Sequence, residues 1–373
     1  MTEKQILIVG CGFAGATIAR ILAENAFKVY LIDKRNHIGG NAFDFINSRD
    51  ERIHQYGPHL LHGKANSKAI KFLNKFTKWT KYEHKVRALL NNNKTTPLPV
   101  NRTTLEDVFG ISLNDENQTK LFLNRIKEKI INPKNTDELF LSNVGETLSN
   151  IFFRPYTKKM WGIDPKELEV SIGARLPVRT NRDERYFTDN FQALPTNGYT
   201  YLFENILDHK NIKFDLNTNF DKEMEKNYNH IFLCIPIDAY FDYCYGHLPY
   251  RSLKFKNQII TGEILSAPQI NFTDDSIYTR QTQWDLLPNS GTSKDNKHTV
   301  TLEIPVDIRD NPGEYYYPVQ TRFSRNLYKK YFELSKKNTK VTFCGRTGLF
   351  RYIDMIPCVE MHIHIAEKFL LSK

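Results

Sequence analysis

The sequence contains little cysteine and no long hydrophobic run. Its five cysteines show neither a CxxC spacing nor a metal-like cluster, which argues against zinc ribbons and related sites, so we expect no metal. An odd number of cysteines without a signal peptide predicts a reduced, cytoplasmic protein. No apolar segment approaches the length of about 20 residues that crosses a bilayer, so we expect no membrane partner.

Charge of one sign prevails, since 52 lysines and arginines face 42 acidic residues and the net charge is +10. Such a balance suits an anionic ligand or a nucleic acid, and it equally suits a solvated lysine-rich surface. The lysines are scattered, as in segment 118–131, and no nucleic-acid motif accompanies them. We therefore expect an anionic small molecule and no nucleic acid. Aromatic residues reach 13%, which indicates an aromatic core, a tyrosine-lined site, or both.

A glycine-rich turn lies between a short apolar strand at residues 5–9 and a helical stretch at 16–25. Gly10 permits the tight turn, Gly12 lets the backbone approach a pyrophosphate, and Gly15 lets the helix pack on the strand. The phosphates are expected at the helix N-terminus, where free N–H groups and the helix dipole favour negative charge. The pattern predicts a bound dinucleotide.

An acidic residue and a second glycine pair refine the choice of dinucleotide. The apolar segment 28–32 ends in Asp33, which is placed to accept a hydrogen bond from a ribose hydroxyl. A carboxylate there disfavours NADP, because it repels the extra phosphate. The pair Gly39-Gly40 followed by Asn41 favours FAD over NAD.

The 373 residues are too many for one small core, so two or three domains are expected. Later segments must complete the nucleotide-binding sheet; those with the pattern of buried strands are 211–216, 230–235 and 340–344, and a helix is expected at 357–371. Residues 104–169 have helical periodicity. Strand-like insertions lie at 85–90, 258–264, 269–272 and 298–304.

Beyond the glycine motif, the chain resembles the UDP-galactopyranose mutases along nearly its whole length and in the same order. The matching segments are 33–42, 55–62, 155–162, 174–179, 184–189, 236–243, 248–255, 271–274, 278–280, 316–319, 344–346 and 351–355. The resemblance implies an α/β fold. In it, a discontinuous Rossmann-like FAD-binding domain (1–80, 200–236 and 338–373) carries an inserted helical bundle (103–180, with a mobile lid at 162–175) and an inserted antiparallel β-sheet domain for substrate (81–102, 181–199 and 237–337).

The resemblance also implies a non-redox isomerase that needs reduced FAD. Members interconvert the pyranose and furanose forms of a nucleotide-diphosphate sugar, and N5 of the reduced flavin attacks the anomeric carbon as the diphosphate leaves. The protein supplies binding, orientation and electrostatics. A homodimer is expected, because these mutases are often dimers.

Two arginines align with the pair that binds the pyrophosphate in this family, and fixed cations stabilise the charge of such a leaving group. These are Arg179 and Arg280, for which a role as plain surface charges is the alternative. His59 and His62 align with the segment beside the flavin. A His-x-x-His pair could bind metal on a helix, but the preceding Gly-Pro indicates a loop, and no carboxylate companions are evident.

Further site residues follow from the resemblance alone. Substrate contacts are expected from Tyr156, Met160, Trp161, Tyr186, Asn271, Tyr317 and Tyr352. FAD contacts are expected from Gly10, Gly12, Phe13, Ala14, Gly15, Asp33, Lys34, Gly40, Asn41, Gly57, His59, Gly345, Arg346, Tyr352, Asp354 and Met355. Buried tyrosines that only satisfy their own hydroxyls, a core position for Trp161 and a helix N-cap at Asp354 are the alternatives, and the choice between Tyr316 and Tyr317 is open.

The chain departs from the family pattern where substrate is expected. Met160 replaces the glutamine that familiar members carry, which favours a thymine methyl over a plain uracil edge. Residues 281–284 replace a histidine-rich run, Phe350 replaces a common tyrosine, and 180–182 replace an aromatic stretch. UDP-galactopyranose is the expected substrate, with dTDP-fucopyranose and UDP-N-acetylgalactosamine as alternatives. An amine-oxidase-like flavoenzyme and a non-catalytic nucleotide-binding protein are the alternatives from other classes.

Overall fold

The computed structural model describes residues 5–90, 94–174, 177–262, 264–291 and 295–373. The strands are β1 (Gln5–Val9), β2 (Lys28–Ile32), β3 (Asp44–Ile46), β4 (Arg52–His54), β5 (Leu61–Gly63), β6 (Trp79–Lys81), β7 (Val86–Leu89), β8 (Thr95–Leu98), β9 (Phe191–Pro195), β10 (Ile212–Asp215), β11 (His230–Leu233), β12 (Tyr250–Thr261), β13 (Gln269–Phe272), β14 (Arg280–Gln283), β15 (Lys297–Asp307), β16 (Tyr317–Pro318) and β17 (Val341–Phe343).

The helices alternate with these strands and concentrate between β8 and β9. They are α1 (Phe13–Glu24), α2 (Lys68–Leu73), α3 (Arg102–Phe109), α4 (Glu116–Ile126), α5 (Thr136–Leu148), α6 (Arg154–Trp161), α7 (Val170–Gly173), α8 (Gly198–Leu207), α9 (Ile237–Tyr240), α10 (Arg322–Ser335), α11 (Gly345–Gly348) and α12 (Met355–Leu371). A π-helical turn, Ser149–Phe153, joins α5 to α6. Within the described residues, no helix combines the length and hydropathy needed to cross a membrane.

A parallel sheet of order β10-β2-β1-β11-β17 holds the glycine turn. Helices α1 and α12 cover one face through a large apolar core, and α10 packs on the other face through Leu327 and Tyr331. Because the sheet is buried on both faces, β1 consists of consecutive apolar residues after Gln5. The strands expected from the sequence form this Rossmann-like sheet, and the expected terminal helix packs on it. The parallel arrangement brings the carboxyl ends of β1 and β2 side by side.

A second, seven-stranded sheet has the order β16-β12-β15-β14-β13-β7-β8. Its pairs are antiparallel except β13 with β7. The helices α3 to α5 lie against its β7–β8 edge, where Leu105, Leu123 and Leu148 share a core with Val86 and Leu98, and α6 contacts β15. Residues of β13, β14 and β15 form the floor of a cavity on one face of this sheet.

Two segments pack differently from the sequence-based division into domains. Residues 181–199 were assigned to the antiparallel sheet domain, but the strand that they contain, β9, pairs with β5 and β6, because the chain leads from it directly into α8, which is buried in the core of the parallel sheet. Helix α10 lies in the range assigned to the substrate sheet, yet its apolar face packs on the parallel sheet. In the proposed lid, residues Pro165–Glu167 form a 3-10 turn and α7 follows; Arg175 lies outside the described residues.

Candidate active site

The glycine turn forms a narrow cradle between β1 and α1. A Cβ atom added to Gly40 would lie 2.9 Å from the Gly12 Cα, and one added to Gly15 would lie 1.9 Å from the Gly10 carbonyl oxygen. Helix α1 begins after Gly12 without a side-chain cap, so the N–H groups of its first turn, at Phe13 and Ala14, face a ligand position. The cradle has the shape and polarity that a pyrophosphate requires.

The residues after β2 are organised by hydrogen bonds. The Asp33 carboxylate accepts from the backbone N–H groups of Cys11 (2.8 Å) and Arg35 (3.0 Å), which fixes its orientation and leaves lone pairs for a ribose hydroxyl. The Arg35 guanidinium donates to Asn41 Oδ1 at 2.8 Å and pairs with Glu314 at 2.5 Å. Lys34 donates to the Gly313 carbonyl. Residues 313–314 therefore tie the second sheet's region to the nucleotide edge of the first.

A cavity of about 430 Å³ lies over the seven-stranded sheet. Of the residues expected to contact substrate or FAD, it brings together Gly57, His59, His62, Tyr156, Met160, Trp161, Tyr186, Asn271, Arg280, Tyr317, Arg346, Tyr352, Asp354 and Met355. Gly345, which opens α11, lies beside Ala14 and Cys234 near the glycine cradle. The expected site residues thus divide between this cavity and the nucleotide edge of the parallel sheet, where the glycine cradle, Asp33, Lys34 and Asn41 lie; Arg179 is the exception.

Three residues stand in register across the floor of the cavity. Asn271 is the Cα partner of Arg280, and Arg280 is the partner of Glu303, so their side chains share one face. Arg280 Nε lies 2.8 Å from Glu303 Oε2, and only 2% of the Glu303 side chain is exposed. Burial raises the pKa of the Glu303 carboxyl, while the arginine beside it acts in the opposite direction. The terminal guanidinium nitrogens of Arg280 form no hydrogen bond within the described part of the chain, so they can receive an anion.

Aromatic side chains surround this cation. Tyr317 stacks on Tyr352 at 5.6 Å and lies 5.9 Å from Trp161, measured between ring centroids. Burial raises the pKa of Tyr317 to about 12, so its hydroxyl keeps its proton and can donate to phosphate oxygens. Arg346 lies over the Tyr352 ring at 4.7 Å. Tyr317 lines the cavity, whereas Tyr316 is buried beside Met160 and Leu253 and is absent from the lining, which favours Tyr317 as the substrate contact of the two.

Arg179 does not reach the cavity lining. Its guanidinium lies 3.8 Å from the Asp183 carboxylate, and its terminal nitrogens contact the carbonyl oxygens of Asp183 and Phe187 at 3.4 and 3.5 Å. Its side chain is 9% exposed, so it is not a surface charge either. Because Phe187 itself lines the cavity, Arg179 stands one residue away from it.

The two histidines occupy different environments. His59 Nδ1 lies 2.8 Å from the Gly57 carbonyl oxygen, and burial lowers the pKa of its ring to about 3, so it is neutral with Nδ1 protonated. His62 Nδ1 lies 2.7 Å from Asp189, and its ring stacks on Phe187 at 3.6 Å. Among the described residues, no three histidine, cysteine or acidic side chains come close enough to hold a metal ion.

Asp354 occupies the N-cap position of α12, as the alternative for this residue proposed, but its side chain makes no capping hydrogen bond. It lines the cavity with Met355. Several lining residues were missed in the sequence, namely His84, Leu98, Phe140, Phe152, Phe153, Gln269, Thr273 and Glu303. Glu303 had a detectable signal, because it is a lone carboxylate within the apolar strand segment 298–304, whose alternation places it on one face with Thr301.

Known proteins resemble this chain in sequence and in fold. A family model described as UDP-galactopyranose mutase matches residues 151–352, and one described as an NAD(P)-binding Rossmann-like domain matches residues 8–76. A probable UDP-galactopyranose mutase of Klebsiella pneumoniae is 35% identical, covering 100% of this chain and 96% of its own. A dTDP-fucopyranose mutase of Escherichia coli is also 35% identical, covering 98% of each chain.

Solved structures agree on the fold. A reduced UDP-galactopyranose mutase superposes with a TM-score of 0.78 at 16% identity, over 99% of this chain and 96% of the other. A wild-type putrescine oxidase bound to putrescine superposes with a TM-score of 0.54 at 12% identity, over 99% of each chain, so the fold alone does not separate mutases from amine oxidases. The sequence matches do separate them, since they name mutases along the full length. The chain belongs to the UDP-galactopyranose mutase family.

Proposed function

We propose that this protein interconverts UDP-galactopyranose and UDP-galactofuranose. It is a nucleotide-sugar mutase of its family, with FAD as the cofactor. The observation that carries the proposal is Arg280, a cation on the cavity floor whose terminal nitrogens have no hydrogen-bond partner within the described residues and face a tyrosine-rich wall. Such a position suits the diphosphate of a nucleotide sugar.

The chain fits FAD at its glycine cradle. The close approach of Gly12 to Gly40, the uncapped start of α1 and the oriented Asp33 carboxylate would hold the dinucleotide, with Arg346, Tyr352, Asp354 and Met355 towards the cavity. When bound and reduced, FAD supplies the nucleophile for the anomeric carbon. No net redox change accompanies the isomerisation, so the protein's task is to hold the sugar and the departing diphosphate in place.

Arg280 would carry the charge that develops on the diphosphate. The Glu303 carboxylate lies 2.8 Å from its Nε, and the Arg280 side chain lines the cavity, so its charge is available to a ligand there. The hydroxyls of Tyr156, Tyr317 and Tyr352 would add hydrogen bonds to the same oxygens, and the aromatic wall would exclude water, which strengthens each of these interactions. Because the diphosphate must recombine with the sugar after ring closure, tight retention serves the reaction as much as charge stabilisation does.

The base subsite favours a second candidate substrate. Met160 is 6% exposed and packs with Tyr156, Trp161 and Tyr317, so this wall offers an apolar thioether where an amide could pair with a uracil edge. A thymine methyl gains contact area against such a wall. We therefore propose dTDP-fucopyranose as the alternative substrate; Met160 does not favour UDP-N-acetylgalactosamine, which carries the uracil base.

The test uses purified protein with bound FAD, reduced with dithionite and incubated separately with UDP-galactofuranose and dTDP-fucofuranose. Chromatography is expected to show the corresponding pyranose for one of them, and oxidised protein serves as the control without turnover. Conversion of neither substrate by reduced, FAD-loaded protein would refute the proposal. Bleaching of oxidised FAD by an amine would instead support the amine-oxidase alternative.

The division into a FAD-binding domain, a helical domain with a lid at residues 162–175 and a substrate domain is part of the same proposal, as is a homodimer. Sedimentation equilibrium of the holoenzyme measures the oligomeric state directly. A monomer across the micromolar range would contradict the dimer without affecting the proposed reaction.

A further inference from the structure

A chain of buried polar side chains reaches the cavity floor beside Arg280. The Tyr82 hydroxyl lies 3.1 Å from His84 Nδ1, and His84 Nε2 lies 3.4 Å from Gln269 Oε1. Gln269 Nε2 then donates to Asn271 Oδ1 at 2.9 Å. His84, Gln269 and Asn271 are at most 3% exposed, and all three line the cavity.

The direction of these hydrogen bonds follows from the number of donors. Burial raises the pKa of the Tyr82 hydroxyl and lowers that of the His84 ring to about 3, so the tyrosine is protonated and the histidine is neutral with one N–H. If Tyr82 donates to Nδ1, the His84 proton is on Nε2 and donates to Gln269. If His84 Nδ1 instead donated to the Tyr82 oxygen, the Tyr82 hydroxyl proton would have no acceptor among the described residues. The first arrangement therefore satisfies more groups.

The hydrogen bond from Gln269 determines which atoms of Asn271 are available to a ligand. Its Oδ1 is occupied by Gln269, so its amide N–H groups are what it presents to the cavity, and they form no hydrogen bond within the described chain. Asn271 is the cross-strand neighbour of Arg280, at the strand spacing of about 5 Å. A ligand oxygen that pairs with Asn271 must therefore lie close to the phosphate that Arg280 would hold.

We propose that Tyr82, His84 and Gln269 are positioning residues that fix Asn271 as a hydrogen-bond donor to a ring hydroxyl next to the anomeric carbon of the sugar. The inference rests on the proposed function, because it needs a sugar diphosphate at Arg280. The 2-hydroxyl is the nearest such group. A sugar without it would leave a buried donor unpaired, which weakens binding.

The alternative is that the network only stabilises the sheet. In that case, removing it lowers stability and turnover in general, without changing the preference among sugars. A ratio of affinities within one series of nucleotide sugars separates the two, because base and phosphate contacts cancel in the ratio.

The experiment measures dissociation constants of the oxidised holoenzyme by calorimetry. The ligands are UDP, UDP-galactopyranose and its 2-deoxy and 6-deoxy analogues, together with the same set linked to dTDP. The variants are Gln269→Leu and His84→Phe, which keep the volume and remove the hydrogen bonds. His230→Phe is the matched control, since His230 is another buried histidine whose ring bonds one side chain, Thr342 at 2.9 Å, away from the cavity.

In the native protein and in His230→Phe, the 2-deoxy analogue is expected to bind about tenfold more weakly than the parent sugar, and the 6-deoxy analogue about equally. In Gln269→Leu and His84→Phe, that tenfold ratio should fall below about threefold, while the affinity for UDP or dTDP alone stays within about twofold. If both variants kept the tenfold ratio between the parent sugar and its 2-deoxy analogue, the inference would be overturned. It would also be overturned if only the affinity for the 6-deoxy analogue fell. Failure of the native protein to bind either nucleotide would overturn the proposed function and the inference together.

Discussion

Replacing Arg280 with alanine separates the cation's role in catalysis from its role in stability. Arg280 is the one arginine that the cavity floor holds in register with Asn271 and Glu303, and it lies outside the glycine cradle. The variant should therefore keep its yellow FAD. Loss of a fixed charge that meets the developing diphosphate is expected to lower kcat by about 100- to 1,000-fold.

The same change leaves Glu303 buried without its partner, and removing one member of a buried ion pair costs about 3 kcal/mol of folding free energy. Burial already raises the pKa of Glu303, and loss of the arginine raises it further, so the folded variant holds the proton more tightly than the unfolded chain does. The stability deficit should thus be smallest near pH 4, about the value of an unperturbed glutamate, and should grow as the pH rises through the raised pKa.

Turnover with dithionite-reduced enzyme and urea denaturation at several pH values measure the two effects. The double variant Arg280→Ala/Glu303→Ala is the control, because it removes both buried charges. It should regain stability without regaining activity. Turnover of Arg280→Ala within tenfold of native, or recovery of turnover in the double variant, would refute the assignment of Arg280 to the diphosphate.

Three further predictions concern the cofactor cradle, the base subsite and the thiols. Gly40→Ala should abolish FAD binding, measured by flavin absorbance, whereas Gly110→Ala, with a similar positive φ but no atom within 4 Å of an added Cβ, should not; retention of FAD by Gly40→Ala would contradict the cradle. Met160→Gln should shift the ratio of affinities about tenfold towards UDP and away from dTDP, about the effect of one hydrogen bond; an unchanged ratio would remove Met160 from the base subsite. In native protein, only the exposed Cys244 should react rapidly with a thiol reagent. Burial raises the pKa of the other four thiols, at Cys11, Cys234, Cys344 and Cys358, and so suppresses the reactive thiolate. Rapid reaction of a second thiol would contradict this prediction.

The parallel sheet was predictable from the sequence because its strands are buried on both faces and its turn needs glycine. The strand at 191–195 was not, since its apolar residues suit either sheet and only the packing of α8 decides between them. The same holds for α10, whose apolar stripe predicts a helix and not the surface it covers.

The candidate site was likewise predictable from the sequence only in part. Gly10 to Gly15 and Asp33 are close in sequence, so their spacing alone indicates a dinucleotide site. Arg280 was expected through resemblance, but its partner Glu303 and the neighbouring His84 and Gln269 come together only through strand register. Arg179 was expected beside Arg280, and an ion pair with a local acid, Asp183, holds it one residue away from the cavity.

The row formed by Asn271, Arg280 and Glu303 has a consequence for how such enzymes diversify. Asn271 stands on β13 and accepts a hydrogen bond from Gln269, whereas Arg280 and Glu303 pair with each other from β14 and β15, so a substitution at Asn271 leaves their ion pair intact. Sugar recognition can then change at Asn271, while the cation at Arg280 continues to receive the same diphosphate. Divergence of substrate among relatives of equal similarity would then need few mutations, at positions outside the Arg280–Glu303 ion pair.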